Sequence, residues 1–273
     1  MSKNIEEIKD RIKGALYGFV IGDAMGATTE FMPEDKIKRI YGTVDNIIGG
    51  GWLKLEAGKG TDDTEMTSCV MRALMKEDLD NFKIDVAEEF VEWLETNPKD
   101  VGNQCFKALS YYNKNNKFIY VDDEALGNGS LMRALPCALL NNENSIKLNI
   151  MQGEITHNNK ICEDIIVEYT KIIQNYVQGK EYPIDEKTLL SPTGHIVNTY
   201  NNALYWSETE DIKSCIIGAV NHGDDSDTIA AIAGSISGAK HGYKNIPENW
   251  INQLDEKTKE ELEIFYKFII KSY

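Results

Sequence analysis

Two stripes of small residues, one near each end of the chain, most constrain how this sequence can fold. In the first predicted helix glycines recur at every fourth position, at Gly14, Gly18 and Gly22. The helix predicted after Asp227 has the same spacing of small residues, at Ala230, Gly234, Gly238 and Gly242. Residues four apart share one helix face, and each glycine costs a helix about 1 kcal/mol relative to alanine, so the stripes indicate close helix packing. We predict that the two helices pack antiparallel, although such stripes can also serve core packing with no functional site nearby.

Two adjacent carboxylates flanked by hydroxyls begin another predicted helix. Residues 60–64 read Gly-Thr-Asp-Asp-Thr, and apolar residues follow at helical spacing. One interpretation is helix capping, because Asp62 with Glu65 fits a capping box and carboxylates stabilise a helix N-terminus. Taken alone, this turn favours capping over metal binding.

A second cluster of carboxylates shifts this balance. Residues 223–228 read Gly-Asp-Asp-Ser-Asp-Thr and precede the helix that carries the second stripe. Five carboxylates brought together would repel one another strongly unless cations neutralised them. Carboxylate and hydroxyl oxygens suit hard ions such as Mg²⁺, Mn²⁺ or Ca²⁺. The two turns together therefore predict a metal site, provided that they meet in space.

Length and composition favour one globular domain that spans residues 1–273. Hydrophobic residues make up 42% of the chain and charged residues 27%, which is ordinary for a globular protein. The net charge of −15 argues against a general affinity for nucleic acid or an anionic membrane. The five cysteines form no zinc-type spacing, so we expect reduced thiols. No targeting or membrane-spanning segment is evident, so we expect a cytoplasmic protein. We also expect a monomer.

The remaining pattern predicts an all-α fold. No convincing alternating strand occurs, and residues 41–60 are expected to form a glycine-rich loop. Pro136 must kink or interrupt the helix predicted around it. Besides the segments described above, helices are predicted at residues 84–96, 101–112, 130–140, 161–177, 196–206, 212–220 and 260–270.

A third motif joins two of these helices. Residues 126–133 read Leu-Gly-Asn-Gly-Ser-Leu-Met-Arg. Two glycines around an asparagine, followed by a serine, would expose several backbone N–H groups that can bind an anion or a ribose. The same sequence is also typical of an ordinary turn before a helix, and taken alone the motif favours that interpretation.

Four motifs, in this order and at similar intervals, resemble those of the ADP-ribosylglycohydrolases of the dinitrogenase-reductase-activating and ADP-ribosyl-acceptor types. The resemblance covers roughly residues 8–243. The motifs are residues 22–26 (Gly-Asp-Ala-Met-Gly), 61–64 (Thr-Asp-Asp-Thr), 127–133 (Gly-Asn-Gly-Ser-Leu-Met-Arg) and 221–228 (Asn-x-Gly-x-Asp-x-Asp-Thr).

The resemblance implies a compact multi-helix domain with two Mg²⁺ or Mn²⁺ ions in a surface cleft. Glu30 falls on an acidic position that can contact metal or substrate. The family's metal-ligand positions correspond here to Thr61, Asp62, Asp63, Asp225, Asp227 and Thr228. Its ADP-ribose contacts correspond to Asn128, Gly129, Ser130, Met132 and His157.

The implied activity is metal-dependent removal of ADP-ribose from a modified acceptor, with arginine-linked ADP-ribose on protein as the first choice. Serine-linked, other O-linked and small-molecule conjugates remain open. We expect the metals to act as Lewis acids, with Glu30 or Asp62 taking a proton from the attacking water. A catalytically silent ADP-ribose-binding protein is the main alternative, although the complete set of metal positions favours an enzyme. A metal phosphohydrolase of the HD type would need a His-Asp pair, and the sequence contains none.

Two departures from the family pattern affect details. Asp224 stands where many members have a glycine, which adds charge beside the second acidic turn and can alter its conformation. Residues 122–126 match no loop sequence of a particular subfamily, which weakens any prediction of linkage specificity.

Overall fold

The computed structural model describes residues 2–118, 126–185 and 187–273, and the described residues are mostly helical. Most of the unmatched loop at 122–126 therefore lies outside the described residues. The helices are α1 (Ser2–Gly26), α2 (Glu34–Tyr41), α3 (Asp62–Met75), α4 (Phe82–Glu95), α5 (Asn103–Asn115), α6 (Leu135–Ala138), α7 (Ser145–Gly153), α8 (Lys160–Val177), α9 (Ile196–Ser207), α10 (Ile212–His222), α11 (Ser226–His241), α12 (Glu248–Gln253) and α13 (Glu256–Ile269).

Helices α1 and α11 pack against each other along the two predicted stripes. A side-chain carbon on Gly14 would overlap the backbone of Gly238, and one on Gly26 would overlap the backbone of Asp227. Residues later in α1 contact residues earlier in α11, so the two helices run antiparallel, as we predict from the spacing. Because α11 and the part of α1 from Gly14 onward are almost entirely buried, this pair forms the centre of the core and brings the end of α1 to the start of α11.

Most of the predicted helices are present, with ends that differ by a few residues. Three short helices, α2, α7 and α12, were not predicted. Helix α2 buries only Ile37 and helix α12 only Trp250, so neither has a regular apolar stripe for a sequence pattern to show. Within the segment predicted as a glycine-rich loop, Gly50 and Leu55 form an isolated antiparallel β-bridge.

The helix predicted at residues 130–140 is wrong for most of its length. Only α6, from Leu135 to Ala138, is helical there, and Pro136 lies in its first turn. Proline lacks a backbone N–H and is tolerated at the start of a helix, so it begins a short helix here instead of kinking a long one. The residues before α6 form consecutive turns that shape the third motif.

Within the described ranges the chain has isolated bridges but no β-strand, which agrees with the all-α prediction. All five cysteines are free and buried, as expected for reduced core thiols. Of the helices that the structure describes, none combines the length and apolar character needed to cross a membrane.

Candidate active site

The site is built on a buried carboxylate at the end of α1. Asp23 is fully buried and accepts hydrogen bonds from the backbone N–H and the hydroxyl of Thr61, at 3.0 and 2.9 Å. It also accepts the backbone N–H of Thr64 at 3.1 Å and the Thr64 hydroxyl. A side-chain carbon on Gly60 would overlap the Asp23 carboxylate, which explains the glycine at that position. Asp23 thus holds the first acidic turn in place.

The first acidic turn begins α3, and its cap differs from the one that the capping interpretation predicts. The N-cap is Thr61, whose hydroxyl accepts the backbone N–H of Asp63 at 3.3 Å. Asp62 is the first residue of the helix and is therefore not needed as a cap. Its Oδ2 atom accepts the backbone N–H of Gly102 at 3.4 Å.

The two acidic turns meet in space, which is the condition that the prediction of a metal site required. The hydroxyl of Thr228, near the start of α11, donates to Oδ2 of Asp63 at 3.2 Å. Among the described residues, no hydrogen-bond partner exists for the buried Oδ1 atoms of Asp63 and Asp227. A buried carboxylate oxygen without a hydrogen-bond donor destabilises the folded state. A bound cation would remove that cost, and no hydrogen bond occupies these two oxygens.

Crowding of carboxylates dominates the electrostatics of the site. Burial and then the repulsion between Asp63 and Asp227 raise the pKa of Asp63 well above its ordinary value. The pKa values of Asp62 and Asp227 are also raised well above normal, first by burial and then by neighbouring carboxylates. Burial raises the pKa of Asp225 to about 7, although hydrogen bonds from Thr199 and Asn128 oppose the shift. Such a cluster favours protons or cations at neutral pH.

The predicted metal centre stays a prediction. Within the part of the chain that the structure describes, no group of three or more His, Cys, Asp and Glu side chains has an arrangement that could hold a metal ion. The six predicted ligands nevertheless lie at the starts of α3 and α11, where two hydroxyls accompany the carboxylates; five of them are buried and Asp225 is half-buried.

Glu30 lies in the same cleft and is only 5% exposed. Its Oε2 atom accepts the indole N–H of Trp52 at 2.5 Å. Burial raises the pKa of Glu30 to about 8; the bond from Trp52 opposes this shift, and the negative charges of Asp100 and Asp225 add to it. The carboxyl can therefore exchange a proton near neutral pH, which is the property required of a general acid or base.

The third motif and the second acidic turn are joined by a side-chain hydrogen bond. The amide nitrogen of Asn128 donates to Oδ2 of Asp225 at 2.8 Å and to the hydroxyl of Thr199 at 3.0 Å. Gly129 and Met132 line the cleft, as a ligand-binding role would require. Ser130 of the same motif is fully buried and does not line the cleft.

His157 lines the cleft next to the third motif. It is 3% exposed, and a side-chain carbon on Gly127 would lie 3.0 Å from its Nε2 atom. The two glycines of the motif thus leave room for the ring. Burial and the positive charge of Arg133 lower the pKa of His157 to about 3, so the imidazole is neutral at physiological pH.

These groups surround a cleft of about 380 Å³. Its lining contains Asp62, Asp63, Asp225, Asp227 and Thr228 of the predicted metal set, together with Glu30, Asn128, Gly129, Met132 and His157. Thr61 lies outside this lining and borders a neighbouring cavity. Ten of the predicted site residues therefore share one cleft, although they come from distant parts of the sequence.

The neighbouring cavity has a volume of about 740 Å³ and meets the cleft at Asp62 and Asp100. More carboxylates than basic groups line it. The carboxylates are Asp62, Glu65, Glu89, Glu92, Asp100, Asp255 and Glu261, and the basic groups are Lys59, Arg72, Lys99 and Lys257. This side of the site is therefore acidic on balance.

Sequence reasoning missed several residues that shape the site. Asp23 was noted only as part of a motif, whereas Asp100, Trp52 and Phe31 were not singled out. Phe31 lines the cleft, is 63% exposed, and its ring centroid lies 5.3 Å from that of Trp52. The adjacency of Glu30 and Phe31 was the available signal, but only the fold brings Trp52 and Asp100 to them.

Asp224 adopts the left-handed conformation that favours glycine, with φ of +47°. Its backbone N–H donates to the carbonyl of Met32 at 2.9 Å, and its carbonyl accepts the N–H of Phe31 at 2.8 Å. Its charge also contributes to the raised pKa of Asp225. The departure from glycine therefore adds charge and backbone strain, while the two backbone hydrogen bonds hold the turn.

Several known proteins are similar to this chain in sequence, and a solved structure is similar to it in fold. A family model described as ADP-ribosylglycohydrolase matches residues 4–192 and 173–270. The chain is 35% identical to the ADP-ribosyl-[dinitrogen reductase] glycohydrolase of Rhodospirillum rubrum, over 93% of this chain and 94% of that protein. It is 27% identical to the ADP-ribosylarginine hydrolase Tri1 of Serratia proteamaculans, over 93% and 77% of the two chains. A solved structure described as an ADP-ribosylglycohydrolase-related protein complex has the same fold, with a TM-score of 0.85, 24% identity, and coverage of 98% and 99%.

Proposed function

Because the chain belongs to the ADP-ribosylglycohydrolase family, we propose that it removes ADP-ribose from arginine side chains of modified proteins in a metal-dependent reaction. Membership of this family confirms the prediction of a hydrolase that acts on a glycosyl bond. The observation that carries the proposal is the meeting of the two acidic turns, through Asp63 and Thr228, in one cleft with the third motif.

The donor set fits a pair of hard divalent cations. The oxygens available are carboxylates and hydroxyls, which Mg²⁺ and Mn²⁺ prefer. The buried Oδ1 atoms of Asp63 and Asp227 lack donors among the described residues, which supports a cation as their partner. The residues that would hold the metals are Thr61, Asp62, Asp63, Asp225, Asp227 and Thr228.

When bound, such ions would supply Lewis acidity toward the ribose hydroxyls and a water. The chain's own residues orient the site. Asn128 holds Asp225 through the hydrogen bond of 2.8 Å, and Asp23 holds the turn that contains Asp62. Both carboxylates are therefore in place before a substrate arrives.

Glu30 is the group best suited to move a proton. Burial raises the pKa of its carboxyl to about 8 in the metal-free site, nearby cations would lower that pKa and favour the ionised form that a base needs, and the indole of Trp52 fixes Oε2. We propose that Glu30 accepts a proton from the water that attacks the anomeric carbon; the bond from that carbon to the guanidino nitrogen breaks, and the proton passes to the departing guanidine. Asp62 is the alternative base, but its backbone contact with Gly102 makes it less available.

A positively charged acceptor suits the acidic surroundings of the site. The neighbouring cavity joins the cleft at Asp62 and Asp100 and carries more carboxylates than basic groups. The exposed rings of Phe31 and Trp52 offer aromatic faces, on which a guanidinium stacks well. These features support arginine over serine as the acceptor.

The names of two similar proteins also support an acceptor on protein, and one of them names arginine. The relative from Serratia proteamaculans is named as an ADP-ribosylarginine hydrolase, and the relative from Rhodospirillum rubrum is named for a protein substrate.

We also propose that residues 1–273 form one domain, because one cluster of buried side chains includes residues from α1 through α13.

The test compares release of ADP-ribose from two peptides that differ only in the linkage, one modified on arginine and one on serine. With Mg²⁺ or Mn²⁺ present, we expect faster release from the arginine-linked peptide. The Glu30→Gln variant should lower kcat by about 100-fold or more while KM changes little, as loss of a general base would predict. Preferential release from the serine-linked peptide would contradict the acceptor assignment, and unchanged kcat in the variant would contradict the role of Glu30.

A further inference from the structure

Arg133 is a fully buried cation that makes no hydrogen bond to a carboxylate in the described ranges. Its Nε atom donates to Oε1 of Gln152 at 2.8 Å, and its Nη2 atom donates to the Gln152 carbonyl at 3.0 Å. Its Nη2 atom also donates to the hydroxyl of Thr156 at 2.7 Å, and the guanidinium lies 4.5 Å from the ring centroid of Phe90. Burial of an unpaired charge is costly, so the position of this cation calls for an explanation.

Thr156 connects Arg133 to His157. Its Oγ1 atom lies 2.7 Å from Nδ1 of His157, and both Arg133 and Thr156 are fully buried. A guanidinium only donates hydrogen bonds, so the Thr156 hydroxyl accepts from Arg133 and retains one hydrogen to donate. That hydrogen can go to Nδ1 of His157 or to the nearby thiol of Cys105.

The imidazole nitrogen is the better acceptor of the two. A protonated thiol accepts hydrogen bonds weakly, whereas the lone pair of a neutral imidazole nitrogen accepts them well. The positive charge of Arg133 also favours a lone pair over an N–H on the nearer side of the ring, because the lone pair is the negative end of the ring dipole. Both effects place the ring proton on Nε2.

We propose that Arg133 and Thr156 are positioning residues that hold His157 in the Nε2–H tautomer, so that the ring presents a neutral N–H donor to the ligand cleft. The Nε2 edge of the ring lies against Gly127, and Gly129 approaches the neighbouring carbon of the ring. A donor in that place suits an acceptor oxygen of the ligand, such as a phosphate oxygen. The identity of that ligand as ADP-ribose rests on the proposed function, whereas the tautomer does not.

The tautomer is measured directly by nitrogen NMR of the full chain labelled with ¹⁵N-histidine. The chain has four histidines, and the His157→Gln variant identifies the signals of His157 by their loss. At neutral pH we expect an unprotonated Nδ1 and a protonated Nε2. A protonated Nδ1 in the unaltered protein would overturn the proposal.

Two variants of Thr156 separate positioning from mere packing. Thr156→Val has nearly the same shape but lacks the hydroxyl, so we expect loss of the strong preference for Nε2–H. Thr156→Ser retains a hydroxyl and should restore the preference. This pair is preferable to Arg133→Met, which can prevent folding because it removes a fully buried cation with several partners.

Calorimetric titration of free ADP-ribose in the presence of Mg²⁺ measures the consequence for binding. We expect Thr156→Val to weaken binding by about 3- to 10-fold, the usual range for one hydrogen bond, and Thr156→Ser to bind as the unaltered protein does. An unchanged tautomer or an unchanged affinity in Thr156→Val would overturn the proposal. If the tautomer result is as expected but no form of the protein binds ADP-ribose, the proposed function fails. Arg133 and Thr156 would then still set the tautomer of His157, but the ligand of its N–H group would not be ADP-ribose.

Discussion

The carboxylate of Asp23 accepts both the backbone N–H and the hydroxyl of Thr61, at 3.0 and 2.9 Å, across 38 residues of sequence. Asp23 lies in the last turns of α1, and Thr61 is the N-cap of α3. One buried carboxylate thus ties the central helix pair to the turn that carries Asp62 and Asp63. The position of the candidate site depends on this contact.

Replacement of Asp23 by asparagine should destabilise this turn. The amide cannot accept all the hydrogen bonds that the carboxylate accepts, and each buried donor left unpaired costs about 1–3 kcal/mol. We expect chemical denaturation to show a lower free energy of unfolding for Asp23→Asn and calorimetry to show weaker Mg²⁺ or Mn²⁺ binding. Asp80→Asn, at an exposed position, should change the free energy of unfolding by less than about 0.5 kcal/mol. Equal stability of Asp23→Asn and the unaltered protein would show that Asp23 does not hold the turn.

The contact between α1 and α11 should not tolerate a side chain at its centre. In Gly18→Ala, the new methyl group would overlap the backbone carbonyl of Gly234, and both backbones are held inside the core. Despite the better helix propensity of alanine, we expect a loss of about 1–3 kcal/mol, measured as a lower melting temperature. Gly102→Ala is the matched control for stability, because no atom lies within 4 Å of the added carbon. A melting temperature for Gly18→Ala at or above that of Gly102→Ala would contradict the close packing.

Stability of the chelated protein should fall as the pH rises. Burial raises the pKa of Asp23 to about 6, of Asp225 to about 7 and of Glu30 to about 8, whereas carboxyls in the unfolded chain titrate near pH 4. Between these limits the folded state holds more protons than the unfolded state, so the free energy of unfolding decreases with increasing pH. We expect the melting temperature in a chelator to be higher at pH 5.5 than at pH 8.

Addition of Mg²⁺ or Mn²⁺ at pH 8 should raise that melting temperature in a concentration-dependent way, because the ions bind only the folded site. The chelated protein at the same pH is the reference. A melting temperature that rises with pH in the chelator would contradict the raised carboxyl pKa values.

The conformation of Asp224 leads to a prediction about two substitutions at one position. With φ of +47°, a residue with a side chain is strained, while glycine is not. We expect Asp224→Gly to be as stable as the unaltered protein or more stable by up to about 1 kcal/mol, and Asp224→Ala to be less stable than Asp224→Gly. Chemical denaturation of the two variants measures the order directly. Greater stability of the alanine variant would indicate that the turn changes its backbone conformation.

Periodic features of the sequence predicted the centre of the fold well. The glycine stripes in α1 and α11 indicated an antiparallel pair, because glycine at every fourth residue has little other use in a helix. The hydroxyl and carboxylates at 61–64 indicated the start of α3. Both inferences rely on local spacing, which the chain preserves when it folds.

Features that depend on distant parts of the chain were not predictable in this way. Nothing near Asp23 indicates that Thr61 would be its partner, and nothing near Glu30 indicates Trp52. The helix expected at 130–140 was wrong because the apolar residues there are buried in consecutive turns, and burial alone does not distinguish a turn from a helix. Ser130 matched a family position but is fully buried outside the cleft lining, and a side-chain carbon on Gly153 would lie 3.4 Å from its Cβ atom.

The most direct test of the proposed function is the release of ADP-ribose from an arginine-modified peptide. The assay compares the unaltered protein with Mg²⁺ or Mn²⁺, the same protein with chelator, and Asp227→Asn with the metal restored. We predict release in the first case and a loss of at least about 100-fold in the other two, because Asp227 contributes a buried oxygen without a donor among the described residues. Full activity with chelator and in Asp227→Asn would contradict a metal-dependent hydrolase at this site.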